Sequence, residues 1–169
     1  MKILGISGSA SRYSSNYHLL KAIQTYAEGE HIMSVYDLLP NFELFTPERL
    51  KNGVPQNILA FKTQVLDADA IIICTPEYTH NIPAVLKNMI EWCTASGEFS
   101  HKSILPITFT PIAPRGEFGM SSLLMSLQTM DAKVVSQLPL YKTDVIIEDE
   151  QIRLPKDIQD IIGAALELF

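Results

Sequence analysis

The 169-residue chain is poor in the features that mark several large functional classes. It has only two cysteines, Cys74 and Cys93, with no CxxC motif, and its four histidines are scattered, so no metal site is predicted. Lysine and arginine total 13 against 19 acidic residues, and the resulting net charge of −6 argues against nucleic acid or an anionic membrane as a partner. No apolar run has the length of a membrane span, and the first strand is too short for a signal peptide. We therefore predict a cytoplasmic protein in which both cysteines are apolar core residues.

Strand and helix patterns alternate along the whole chain. The predicted strands cover 2–7, 31–37, 69–75, 103–110 and 132–137, and an extended segment lies near 144–153. The predicted helices cover 15–28, 55–67, 83–95, 118–130 and 156–168. This alternation predicts a single α/β domain, residues 1–169, with a parallel sheet covered on both faces. The core-facing stripes of two helices are predicted to be Leu86, Met89, Ile90 and Cys93, and Ile158, Ile161, Ile162 and Ala165.

The loop after the first predicted strand is rich in small polar side chains. Its hydroxyl and amide groups fall within eight residues, with Arg12 among them: Ser9, Ser11, Ser14, Ser15 and Asn16. A helix N-terminus has unpaired N–H groups and partial positive charge, so it attracts a phosphate. Either Ser14 or Ser15 could simply cap the helix, but one cap requires only one such residue. The cluster therefore favours a phosphate site.

The second informative stretch runs from Ile71 to Trp92. Its apolar strand stops at the polar turn Thr75-Pro76-Glu77-Tyr78, and Ile82-Pro83 then opens a helix. The junction of a strand, a loop and a helix N-terminus is where open α/β sheets bind ligands. The ring of Tyr78, small hydroxyls and backbone amides are suited to a planar cofactor with polar edges.

Both loops resemble those of the NADPH-dependent FMN reductase family, flavodoxin-like enzymes that include quinone and azo-dye reductases. The first family loop runs roughly GSxRxxSxN, and Gly8, Ser9, Ser14 and Asn16 are in register with it, whereas Arg12 follows one place after the family arginine position. The second resembles PEYNxSxPxxLKNAIDW, which TPEYTHNIPAVLKNMIEW matches with Thr79 in place of the usual asparagine.

The resemblance implies a three-layer, doubly wound fold with a five-stranded parallel sheet of order 2-1-3-4-5, usually in homodimers or homotetramers. It also implies FMN as the cofactor. A third loop, residues 111–119, would border the flavin ring. The implied cofactor-binding residues are Ser9, Ser11, Arg12, Ser14, Ser15 and Asn16 in the first loop, Pro76, Glu77, Tyr78 and Thr79 in the second, and Arg115 and Gly116 in the third.

The function that the resemblance implies is hydride transfer from NADPH or NADH, through FMN, to a quinone, azo compound or flavin acceptor, with ping-pong kinetics. No catalytic side chain is expected, because the flavin itself supplies the redox chemistry. The alternative is a flavodoxin-like electron carrier, which has the same fold but does not oxidise NAD(P)H by itself. A Rossmann dehydrogenase is disfavoured because the motif G-x-G-x-x-G is absent. A phospho-acceptor domain is disfavoured because it needs an aspartate at the carboxyl end of a strand, and none stands directly after Ser7, where the first predicted strand ends.

Three residues of the second stretch have simpler interpretations. The Glu77 carboxylate would repel a flavin anion, so we expect it to turn away or to pair with a cation. His80 is predicted to be an exposed histidine, and Trp92 to pack in the core or at a subunit interface. The segment 38–54, with Phe42 and Phe45, either covers the sheet or contributes to a neighbouring subunit's site.

Overall fold

The computed structural model describes residues 1–169, and its central element is a parallel sheet with helices on both faces. The strands of this sheet are β1 (Lys2–Ser7), β2 (Ile32–Tyr36), β3 (Ala70–Thr75), β4 (Ser103–Thr110), β5 (Lys133–Val134) and β6 (Leu138–Tyr141). The helices are α1 (Ser15–Tyr26), α2 (Pro47–Asn52), α3 (Gln56–Asp67), α4 (Ala84–Thr94), α5 (Glu117–Thr129) and α6 (Lys156–Leu166). The strand order is β2-β1-β3-β4-β5, and β6 also pairs with β4, which is the order that the resemblance implies.

Strand β3 lies in the middle of the sheet and contributes to a core on each side. Ile71 and Ile73 point into one apolar cluster, which α3, α4 and α5 cover, and Ile72 and Cys74 into the other, which α1 and α6 cover. Successive side chains of a strand point to opposite faces, so a strand buried on both faces has no polar position. This explains why the sequence Ala70–Thr75 shows no alternation.

Of the two predicted helical stripes, one is confirmed and the other is shifted. Leu86, Met89, Ile90 and Cys93 are all buried along α4. In α6, however, Ile161 is 46% exposed, and the buried residues are Ile158, Ile162, Ala165 and Leu166. Leu166 follows Ile162 by four residues, so the apolar face is rotated away from Ile161.

The predicted strand 132–137 is wrong in its bounds. It consists of two short pieces: β5 pairs with the beginning of β4, and β6 pairs with its end, in the register Ile107↔Leu138 to Thr110↔Tyr141. Pro139 lies within β6, where it is tolerated because β6 is an edge strand and one of its sides has no neighbour.

Two further elements differ from the prediction. The extended segment near 144–153 is an antiparallel hairpin of β7 (Ile146–Glu148) and β8 (Gln151–Arg153). Helix α2 falls within the segment 38–54, where no helix is predicted from the sequence, although Thr46 caps it by accepting the Arg49 N–H at 3.1 Å and proline occupies its first turn. Threonine followed by proline is a recognisable helix start, so this helix had a local signal.

The segment 38–54 covers one side of the molecule rather than projecting from it. Asn88 Oδ1 accepts the Phe45 N–H at 2.7 Å, and the Trp92 indole N–H donates to the Glu43 carbonyl at 2.8 Å. The Phe45 and Trp92 rings meet edge to face with centroids 5.2 Å apart, and Phe42 is buried in the core. Trp92 is therefore a core residue, one of the two predicted alternatives.

Candidate functional site

The first loop ends in a well-formed helix start. Ser14 caps α1, accepting the Tyr17 N–H at 3.3 Å, and Ser15 and Asn16 occupy the first helical turn. The backbone N–H groups of a first turn have no carbonyl partner within the helix, so they are available to an anion. The Ser9 hydroxyl accepts the Ser11 N–H at 3.2 Å and tightens the loop before the cap. The serine cluster therefore includes one cap and several further donors.

Asn16 is the most constrained polar residue of this loop. It is 2% exposed, and its Oδ1 accepts a hydrogen bond from the Cys74 thiol at 3.3 Å. Burial raises the pKa of Cys74, so the thiol stays protonated and remains a donor. With its oxygen occupied, Asn16 retains its NH2 group as the donor available to a ligand.

The first two loops meet between the first and third strands. The Gly8 N–H donates to the Cys74 carbonyl at 2.8 Å. A Cβ on Gly8 would lie 2.8 Å from Leu86 Cδ2 and 3.1 Å from Thr75 Oγ1, so no larger residue fits without displacement. In the sheet β2 lies on one side of β1 and β3 on the other, so the connections that follow β1 and β3 run in opposite directions from this crevice. The crevice is therefore the topological switch point of the sheet.

Arg12 is directed away from the crevice by a contact from another strand end. The Tyr13 N–H donates to Asp37 Oδ2 at 2.8 Å, and Tyr13 has a positive φ of 51°. The Arg12 guanidinium stacks on the Tyr13 ring, 5.0 Å from its centroid, and donates to its hydroxyl at 3.2 Å. Of the first-loop residues singled out in the sequence, Arg12 alone does not line the cavity.

The second loop is closed by a two-residue turn. The Tyr78 and Asn81 backbones exchange two hydrogen bonds, each 2.9 Å long. Thr79 and His80 between them both have positive φ, 48° and 57°, as in a type I′ turn. This conformation is unfavourable for a β-branched residue and tolerated by asparagine, the residue common at position 79 in the family motif.

The Glu77 carboxylate is held by one group outside the loop and lies beside another within it. Its Oε2 accepts the Gly119 N–H at 2.8 Å, near the N-terminus of α5, and its Oε1 lies 3.6 Å from His80 Nδ1. The negative charge is favourable beside a helix N-terminus. His80 is exposed, as predicted, and its ring packs edge to face against Phe118 with centroids 4.7 Å apart.

The third loop returns over the end of β4. The Thr110 hydroxyl donates to the Arg115 carbonyl at 2.7 Å. Gly116 has a φ of 106°, and a Cβ there would lie 3.0 Å from Thr108 Oγ1, so this position requires glycine. Gly116 therefore shapes the loop but does not itself line the cavity.

These loops enclose a cavity of about 510 Å³ at the carboxyl ends of the strands. That volume lies within the usual range for small-molecule sites, about 300–1,000 Å³. Ten of the twelve residues expected to bind a cofactor line it: Ser9, Ser11, Ser14, Ser15, Asn16, Pro76, Glu77, Tyr78, Thr79 and Arg115. The remaining lining residues are His80, Phe109, Thr110, Pro111 and Lys142.

Of these remaining residues, Lys142 could not be predicted from a local pattern. It enters the cavity only because β6 pairs with the end of β4. Phe109 and Thr110 end a predicted strand, which is itself a signal, since the carboxyl ends of parallel strands form such sites.

A second cleft, of about 660 Å³, lies along α1, β8 and α6 and contains none of the predicted residues. No group of three or more His, Cys, Asp or Glu side chains is arranged to hold a metal ion. None of the helices has both the length and the apolar character needed to cross a bilayer.

Comparison with known proteins identifies the family. The sequence profile of the NADPH-dependent FMN reductases matches residues 1–142. The chain belongs to this family. It is 33% identical over 155 residues to an NAD(P)H-dependent FMN reductase of Pseudomonas aeruginosa, an alignment that covers 89% of this chain and 80% of that one.

A second relative of this chain is a longer protein. Subunit CrdA of the NADH:(hydroxy)cinnamate reductase of Vibrio ruber is 35% identical over 100 residues, which cover 58% of this chain and 48% of the relative. The chain thus spans about half the length of that protein.

The fold is shared with solved structures at lower sequence identity. The flavoenzyme NAD(P)H:(acceptor) oxidoreductase FerB from Paracoccus denitrificans superposes with a TM-score of 0.78 at 19% identity, over 99% of this chain and 96% of that one. The predicted family and the predicted flavodoxin-like sheet order are therefore both confirmed.

Proposed function

We propose that this protein is an FMN-dependent oxidoreductase that passes hydride from NADPH or NADH to a quinone, azo compound or free flavin. The observation that carries the proposal is the convergence of ten predicted residues, from three separate loops, on one cavity at the switch point of the sheet. Family membership and the names of the relatives support it.

The donors in the cavity fit FMN. A terminal phosphate requires many hydrogen-bond donors, and the N-terminus of α1 offers N–H groups with the hydroxyls of Ser14 and Ser15 and the buried amide of Asn16. The orientation of that amide by Cys74 leaves NH2 rather than the oxygen for the phosphate. A cavity without this donor set would not suit a dianion.

The second loop would border the flavin ring. Tyr78 is 44% exposed at the cavity, so its ring can form a wall for a planar group. The Glu77 carboxylate accepts a hydrogen bond from the Gly119 N–H, and this bond directs its negative charge toward α5 rather than toward an electron-rich ring. When bound, FMN supplies the hydride chemistry, accepting hydride from a nicotinamide and passing it to the acceptor. The side chains therefore bind and orient, and no protein nucleophile is required.

The two substrates would use the same open side of the cavity in turn, which gives ping-pong kinetics. Purified protein should show the visible absorption of bound flavin and should consume NADPH or NADH with a quinone. Parallel double-reciprocal plots support the alternation of substrates, whereas intersecting lines contradict it. Flavin binding without NAD(P)H oxidation would indicate the electron carrier instead.

Ser15→Ala tests the phosphate site with little effect on folding. The Ser15 hydroxyl lines the cavity but makes no hydrogen bond within the protein, and alanine is a good helix former. Loss of one hydrogen bond to a charged phosphate should weaken FMN binding by about 10-fold or more, measured by flavin fluorescence titration. Ser121→Ala, on the exposed surface of α5 and outside the cavity, is the control, although the Ser121 hydroxyl donates to the Glu117 carbonyl at 2.8 Å. Equal FMN affinities of the two variants would contradict the assignment.

The small-molecule acceptor, the assembly into a homodimer or homotetramer and the cytoplasmic location are parts of the same proposal. Light scattering after size-exclusion chromatography measures the assembly state directly.

A further inference from the structure

Two cations of the cavity have no acidic partner. Arg115 and Lys142 both line it, and neither belongs to any ion pair of the structure. Glu77 is the only carboxylate among the lining residues, and it is bonded to Gly119 and lies beside His80. Asp144, near Lys142 in sequence, accepts the Tyr141 N–H at 2.9 Å instead. Two cations against one carboxylate give the cavity lining a net positive charge in a chain whose net charge is −6, and this local excess favours an anionic ligand.

The backbone holds both residues at one corner of the cavity. The Thr110 hydroxyl holds the backbone at Arg115 by donating a hydrogen bond to the Arg115 carbonyl. The pairing of Thr110 with Tyr141 places Lys142 just beyond the end of β4, and the Tyr141–Asp144 bond fixes the turn that Lys142 begins. We call Arg115 and Lys142, on either side of Thr110, the cationic corner.

The cationic corner is remote from the proposed phosphate site. The phosphate donors follow β1, whereas Lys142 follows β6, and β3 and β4 lie between these strands. Neighbouring strands are about 4.8 Å apart, so the two strand ends are separated by about 14 Å along the sheet. The corner is therefore better placed for an anionic group on a second ligand than for the FMN phosphate.

We propose that the cationic corner makes the enzyme selective for anionic acceptors, namely quinones or azo compounds that carry a carboxylate or sulfonate. This inference rests on the proposed function and names the substrate class of the same site. NADPH and NADH also carry anionic groups. The 2′-phosphate of NADPH lies at the far end of the dinucleotide from the nicotinamide, and the pyrophosphate is common to both nucleotides, so neither group changes a ratio between two acceptors that is measured with one donor. The corner shares a cavity with the Tyr78 loop, where the acceptor ring would stack.

The test compares two acceptors that differ in charge. For each variant, kcat/KM is measured with 1,4-naphthoquinone and with its 2-sulfonate, and the ratio of sulfonate to neutral acceptor is the readout. Because both acceptors are measured with the same preparation, a change in FMN loading affects both kcat/KM values equally and cancels in the ratio. The two quinones differ in reduction potential, but this difference is the same for every variant and cancels when the ratios of two variants are compared. Lys142→Gln should lower the ratio about 5- to 10-fold, and Arg115→Gln/Lys142→Gln should lower it further.

Three controls make the comparison specific. Lys142→Arg keeps the charge and should retain most of the ratio. Lys51→Gln removes an exposed lysine of α2 outside the cavity and should leave the ratio unchanged. Added salt should lower the ratio of the wild-type protein but have little effect on that of the double variant.

A binding measurement separates this inference from the proposed function. Naphthalene-2-sulfonate, which is not reducible by this route, is titrated against the protein, and Lys142→Gln should weaken its binding about 5- to 10-fold. An unchanged acceptor ratio together with unchanged sulfonate binding overturns the inference. So does a variant in which the only loss is in kcat/KM for NADPH relative to that for NADH. If the wild-type protein fails to oxidise NAD(P)H, the proposed function is wrong, and sulfonate binding alone then decides the role of the corner.

Discussion

A buried ion pair between α3 and the loop after α4 gives a sharp prediction about stability. Lys62 Nζ lies 3.2 Å from Glu98 Oε1, and both side chains are 7% exposed. Ser96 joins the pair, accepting a hydrogen bond from Lys62 and donating to Glu98 Oε2 at 3.0 Å. At an effective dielectric constant of about 20, two charges at this distance attract by about 5 kcal/mol. Desolvation costs several kcal/mol per ion, so the net contribution of the pair is close to zero.

The single and double substitutions should therefore differ strongly. Lys62→Met or Glu98→Leu leaves one buried charge without its partner and should lower the free energy of unfolding by about 3–5 kcal/mol. Lys62→Met/Glu98→Leu removes both charges and should lower it by less than about 1.5 kcal/mol. Lys51→Met, at an exposed position, should change it by no more than about 0.5 kcal/mol.

The assay is urea unfolding followed by the fluorescence of Trp92. This is the single tryptophan of the chain and is completely buried, so its emission reports on loss of the core. Neither Lys62 nor Glu98 lines the cavity, so FMN affinity should be unaffected at low urea. The reasoning is refuted if each single variant loses less than about 1 kcal/mol, or if the double variant loses the sum of the two.

Four further predictions concern the loops and the thiols. Gly8→Ala should lower the free energy of unfolding by about 1–3 kcal/mol in urea, because its Cβ would lie 2.8 Å from a leucine of α4. Arg12→Ala should change the Kd for FMN less than about 2-fold, since its guanidinium stacks on Tyr13; a large loss contradicts this. Thr79→Asn should raise Tm slightly, by relief of about 0.5–1 kcal/mol of strain at positive φ. Burial raises the pKa of Cys74, and that of Cys93 to about 12, above the value of about 8.5 for a thiol in the unfolded chain. The free energy of unfolding should therefore be constant with respect to these thiols below about pH 8.5 and should decline as the pH rises toward 12. Neither thiol should react with Ellman's reagent at pH 8 until urea is added.

The sheet could be predicted from the sequence because its signals are local. The apolar run Ala70–Thr75 can be buried on both faces only in the middle of a sheet with two helical layers. The serine-rich and tyrosine-containing loops follow β1 and β3, so their meeting at one edge follows from parallel pairing alone. The strands and the two loops are thus recognisable from local composition, and only their pairing joins distant parts of the chain.

Some positions depend on distant residues. The composition around Arg12 suggests a phosphate ligand, and this stays a prediction, but Asp37 of another strand end binds the Tyr13 N–H and the arginine stacks on that tyrosine. Ile161 is as apolar as Ile162, and only the position of α6 on the sheet determines which of them is buried. Such choices depend on packing between elements and leave no mark in a local pattern.

The divided edge strand connects these two levels. A continuous strand over 132–137 would end beside the middle of β4 and would contribute nothing to the cavity. Because the chain leaves the sheet after β5 and pairs again as β6, its register reaches Thr110 at the end of β4. Lys142 follows directly and lines the cavity. The hydroxyl-rich end of the site is thus encoded by a loop motif, whereas its cationic end depends on how an edge strand is paired.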